Sequence, residues 1–101
     1  MRTTTKSANG TSFHGTTITT TVEKLRKVLG EPKYSPNDGE DKVNFEWQAE
    51  TESGDVFTVY DWKEYRSIEE DERIEFHIGG HTNNATVKAL DEILQALAEI
   101  E

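Results

Sequence analysis

The stretch "VNFEWQAETESGDVFTVYDW", residues 43–62, decides the fold. Val43, Phe45, Trp47 and Ala49 alternate with Asn44, Glu46, Gln48 and Glu50, the period-two pattern of a strand with one dry and one wet face. "TESGD" then predicts a hairpin into a second strand, "VFTVYDW". There Phe57 and Val59 fall on one side and Thr58, Tyr60 and Trp62 on the other, and the first pair is expected to face the core. Beyond "SIEEDE", the segment "RIEFHIGG" alternates Ile74, Phe76 and Ile78 with Glu75 and His77, which predicts a third strand.

Helices flank these strands. "TTTVEKLRKVLGEP" places Val22, Leu25, Val28 and Leu29 on one face, with Thr20 and Glu23 at capping-box spacing and Gly30 and Pro32 as the stop. "NNATVKALDEILQALAEIE" reads as a second helix with an Asn cap and a stripe of Val87, Leu90, Ile93, Leu94, Leu97 and Ile100. "SFHGTTI" is a candidate extra strand weakened by Gly15. Residues 1–12 hold no apolar side chain beyond Met1 and Ala8, so a flexible tail is expected there. Residues 13–101 then form one α+β domain: two layers, an antiparallel sheet of three or four strands, and two helices packed on one face in the order α-β-β-β-α.

Twenty acids against eleven Lys and Arg give a formal charge of −9, which repels nucleic-acid backbones and anionic membranes. Direct nucleic-acid binding is therefore disfavoured, while solubility, a basic protein partner or mimicry of nucleic-acid charge fits. There is no cysteine, hence no disulfide or thiolate metal site. No signal-like or membrane-spanning window is visible, which predicts a soluble, unprocessed chain inside the cell.

If Phe57 and Val59 face the helices, Glu46, Gln48, Glu75 and His77 share the opposite face with Tyr60 and Trp62. Two large aromatics among acids on an exposed sheet have the makings of a binding hot spot. The tail or an oligomer partner is the alternative: either would simply cover that face. A second candidate is an anion-binding turn at Gly79, Gly80, His81, Thr82 and Asn83, where a strand runs into a helix N-terminus without P-loop or dinucleotide-binding spacing. His77 and His81 are four apart, but a strand end and two glycines intervene, so no metal site is assigned. The acids of "EEDE" read as a solvated, self-repelling turn. No catalytic or cofactor motif is present.

The segments "VNFEWQAETESGDVFTVYDWKEYR" and "EFHIGG" resemble small, mostly uncharacterised bacteriophage and prophage proteins that carry a "YDWK" strand and a downstream "HIGG" segment. The likeness spans residues 16–89 and implies an accessory protein acting in the cytoplasm of a bacterial host. The expected function is a non-catalytic binder that blocks a host or antiviral-defence protein with a basic surface. Glu46, Glu69, Glu70, Asp71, Glu72 and Glu75 would meet the partner's cations and Tyr60 and Trp62 would anchor it. The alternatives are sequestration of a nucleotide-like ligand and, more weakly, an unrecognised enzyme.

Overall fold

In chain order the computed structural model, which describes Met1–Glu101, runs β1 (Arg2–Thr3), β2 (Ser12–Thr20), α1 (Val22–Leu29), β3 (Glu46–Glu50), β4 (Val56–Tyr60), β5 (Ile74–Gly80) and α2 (Asn83–Ile100). All strands pair antiparallel in one sheet of order β1-β3-β4-β5-β2. The fold is α+β with two helices, as the patterning requires. The strand count and order differ from expectation: there are five strands, and two of them precede α1.

Alternation sorts the sheet as the sequence suggests. Trp47 and Ala49, Phe57 and Val59, and Ile74, Phe76 and Ile78 join Ile18 in one core with Val22, Leu25 and Leu29 of α1 and Ala89, Ile93 and Leu97 of α2. Leu94, expected in that core, is instead 49% exposed, and Val87 and Ile100 are also outside it. The apolar stripe of α2 is wider than the contact with the sheet, and its buried centre runs through the small residues Ala85 and Ala89. Both caps lie one residue away from expectation. Thr21 rather than Thr20 accepts the Lys24 N–H, and Thr82 rather than an Asn accepts the Ala85 N–H. Thr20 is buried at the end of β2.

Residues 1–12, expected as a free tail, are placed across the sheet. β1 and β2 lie at opposite edges, so residues 4–11 cross the face that the helices leave open. Four strand spacings are about 19 Å and eight extended residues reach at most about 29 Å, so the crossing leaves slack, which a turn at Ala8–Thr11 takes up, the Thr11 N–H donating to the Ala8 carbonyl at 3.0 Å. Polar bonds hold this strap where apolar burial was the criterion for order. Gln48 Nε2 donates to the Lys6 carbonyl at 2.6 Å, and Glu50 pairs with Arg2 at 2.7 Å and Lys6 at 2.8 Å. Lys6 first, with Arg2, holds the Glu50 carboxyl below its ordinary range, against the opposing effect of burial.

Candidate functional site

The register brings the expected site residues into rows on the open face. Glu46 lies opposite Tyr60, Tyr60 opposite His77, and His77 opposite Thr17, one row across four strands. Glu75 sits in the next row, within 3.5 Å of the Thr17 hydroxyl. Trp62 lies just past β4 on the same side. The five residues read from the sequence, Glu46, Tyr60, Trp62, Glu75 and His77, therefore share one surface.

A sixth member was not anticipated. β2 carries an irregularity between Phe13 and Thr17, with three residues inserted where β5 has only Ile78. Two residues more than the partner leaves the facing parity intact, so Phe13 returns to the open face. Gly15, at φ 94°, supplies the left-handed backbone this detour needs. The Phe13 ring stacks on His77 at 4.0 Å between centroids and 15° between planes. On the other side of His77, the Trp62 ring lies at 6.1 Å and 26°, with Tyr60 edge-on to both. Phe13 is 42% and Trp62 40% exposed. Burial pushes the His77 pKa down from 6.5 despite the nearby Glu75, which favours the neutral imidazole in this row. Burial, with the charge of Glu46 adding to it, raises the Tyr60 phenol, which stays a hydrogen-bond donor.

Between Tyr60 and Trp62, Asp61 points the opposite way and is fully buried. Its Oδ1 accepts the Asn44 and Phe45 N–H groups, both at 2.8 Å, and its Oδ2 accepts the Asn44 side-chain amide at 3.1 Å. The same Asn44 amide donates to the Arg66 carbonyl at 2.8 Å, and its Oδ1 accepts the Gly39 N–H at 3.0 Å. Asn44, expected on the wet face, is thus a fully buried hub. The strand pattern begins only at Glu46, and residues 43–45 leave it to meet Asp61. The clamp fixes the backbone on both sides of the exposed rings.

Lys42 and Lys63 flank the Trp62 ring, their ammonium nitrogens 5.8 and 5.6 Å from its centroid. Neither forms an ion pair within 4 Å. Beside the rings, a cleft of about 370 Å³ opens between the strap, at Ala8, Asn9, Thr11 and Ser12, and the wall of Tyr60 and Trp62. Thr58 and Gly79 form its floor. A Cβ on Gly79 would stand 2.6 Å from Thr58 Oγ1, so a side chain there would fill the floor and collide with it. Compared with known proteins, the chain matches no family model, no curated protein and no solved structure.

The glycine segment is arranged differently from an open turn. Gly79 and Gly80 are strand residues paired on both sides, to Thr58 and Phe13 and to Phe57 and Ser12. Thr82 spends its hydroxyl on the helix cap, and His81 and Asn83 are exposed beyond it. Ser12 and His14 form a hydroxyl–imidazole pair at 3.3 Å, yet the same Nε2 lies 3.1 Å from the Gly80 carbonyl. An Nε2–H that donates to that carbonyl has no lone pair with which to take the serine proton.

The acidic turn is exposed but not self-repelling. Ile68 anchors it in the core, Glu70 pairs with Arg26 at 2.9 Å, and Glu72 pairs with Arg66. It lies against α1, with the Glu70 carbonyl accepting the Glu23 N–H, and so is separate from the face that carries Glu46 and Glu75.

Proposed function

We propose that this chain is a non-catalytic binding protein whose docking surface is the open half-face of the sheet. The observation that carries the reading is the row of rings Phe13, His77 and Trp62, with Tyr60 edge-on and the Asp61–Asn44 clamp fixing the backbone between Tyr60 and Trp62. Rigid, half-exposed aromatics lose little side-chain entropy when a partner covers them, and they supply the desolvated centre that binding energy concentrates in. Glu46 and Glu75, which form no ion pair, flank this centre and suit Lys or Arg on the partner. Nucleic-acid mimicry by the turn is a weaker part of the reading, because Glu70 and Glu72 are already matched by arginines. The sequence likeness to phage proteins supports a host or antiviral-defence protein as the partner, acting in the bacterial cytoplasm and blocked by occlusion.

A second reading has its own support. Trp62 offers a stacking face for a flat, nucleotide-like ligand, and Lys42 and Lys63 near that ring supply local positive charge, while the adjoining cleft is lined by Glu46 and by neither lysine. Recovering the protein from host lysate and identifying what stays bound separates the two: a basic protein supports the first, a small molecule released on denaturation the second. Trp62→Ala and Tyr60→Ala should then weaken binding by about 2 kcal/mol or more at a true hot spot. Undiminished affinity in both variants would remove the open face from the mechanism.

A further inference from the structure

Residues 7–22 contain no Asp, Glu, Lys or Arg, in a chain where 31% of residues are charged. This stretch includes all of β2, which has β5 on one side and no strand on the other. Every second residue of β2 therefore turns its N–H and C=O outward. Exposed edges are ordinarily guarded by charge, proline or shortness. The opposite edge, β1, is two residues long and carries Arg2. β2 is nine residues long, and past the irregularity it reads Thr16, Thr17, Ile18, Thr19, Thr20 with no such guard.

The helix above this edge presents a matching surface. The Thr86 and Thr16 hydroxyls lie 2.7 Å apart, so α2 turns Thr86 down onto β2. At 100° per residue, Leu90, Leu94 and Val87 follow further round the helix on that same side. Leu90 is half-buried and Leu94 and Val87 are exposed, which makes an apolar ridge overhanging the unpaired strand.

We propose that β2 and this ridge are the interface of a homodimer, in which β2 pairs antiparallel with β2 of a second copy about a two-fold axis. Strands stand about 4.8 Å apart, so a helix over the β2–β5 seam is about 5 Å from that axis and about 10 Å from its mate, at the upper end of helix-packing distance. α2 packs on both β2 and β5. Val87, Leu90 and Leu94 of the two copies then meet side by side. Charge selects the occupant. Two copies at −9 repel one another over most of their surface, and an uncharged strand with an apolar ridge lets them approach with few like charges at the contact. Asp91, on the outer flank of the ridge, is the nearest acid of the helix. Pairing uses the backbone edge of β2 and the ridge on the helix side of the sheet, not the ring faces, so Leu94→Lys tests this proposal independently of the binding reading.

Sedimentation equilibrium on the full chain, from low micromolar to near-millimolar concentration, should show a species of twice 11.5 kDa. Leu94→Lys should raise the dissociation constant at least about tenfold. Because that change makes the chain less negative, general charge repulsion cannot account for the loss, and an unchanged thermal melt at low concentration confirms the fold. Amide exchange along β2 should slow as the dimer forms. A monomer at every concentration would overturn the proposal, including one that takes up an extended peptide along β2. So would a dimer indifferent to Leu94→Lys, or one whose β2 amides exchange as fast as the monomer's.

Discussion

Replacing Asp61 tests the clamp beneath the aromatic row. Asp61→Ala strands three buried donors: the Asn44 N–H, the Phe45 N–H and the Asn44 side-chain amide. Each unsatisfied buried group costs about 1–3 kcal/mol, so the three together should cost about 3–9 kcal/mol, toward the low end if water enters the space. Asp61→Asn should be milder. Its remaining oxygen can still accept both backbone N–H groups, as Oδ1 does now, while its NH2 faces the Asn44 amide and forfeits that one bond. The cost expected is about 1–3 kcal/mol. The Asn44 amide cannot simply turn over to accept, because it would release both the Gly39 N–H and the Arg66 carbonyl. Urea unfolding at neutral pH, with the denaturant slope compared across variants, reads both values. A loss below about 1 kcal/mol for Asp61→Ala, or an equal loss for both variants, would refute the donor-by-donor reasoning.

Three further outcomes are expected. Phe76→Ala should cost about 3–5 kcal/mol in the same unfolding assay, because its ring is fully enclosed, and a small effect would deny that β5 faces the helices as described. Gly79→Ala should destabilise by about 1–3 kcal/mol through the clash with Thr58, and adding Thr58→Ala should recover much of that; two independent losses that simply add would contradict the close approach. His77 should titrate below 6.5 in a histidine NMR titration. The unfolded chain then takes this proton first, so stability is full above 6.5 and declines as pH falls toward the folded value. His77→Phe should flatten that decline; a midpoint at 6.5 would abolish the effect and one above 6.5 would reverse its sign.

Short-range alternation made the hairpin, β5 and the facing of Phe57, Val59, Tyr60 and Trp62 legible, because a strand with one dry face writes its orientation into every second residue. Glu46, Tyr60, Trp62, Glu75 and His77 could be grouped for the same reason. Phe13 could not, since its place depends on the detour at Gly15, which shifts register without leaving a periodic trace. The strap escaped because its order comes from Gln48, Glu50 and Gly54, some fifty residues away, and a polar segment has no local sign of where its partners are. Asn44 and Asp61 were hidden by their chemistry. A polar side chain at an alternating position reads as wet unless its buried partner is already known. Leu94 erred in the other direction, since an apolar stripe shows what a helix can bury but not how much of it the sheet covers.

The two tryptophans divide the molecule for an optical observer. Trp47 is enclosed in the core with its indole N–H on the Gly30 carbonyl at 2.9 Å, while Trp62 stands half in solvent beside two lysines. A soluble quencher should reach the second and spare the first in the native chain. Emission from Trp47 then reports unfolding and that from Trp62 reports whatever covers the open face. With Trp62→Phe and Trp47→Phe as single-fluorophore versions, loss of structure and occupation of the surface become separate signals from an unlabelled protein.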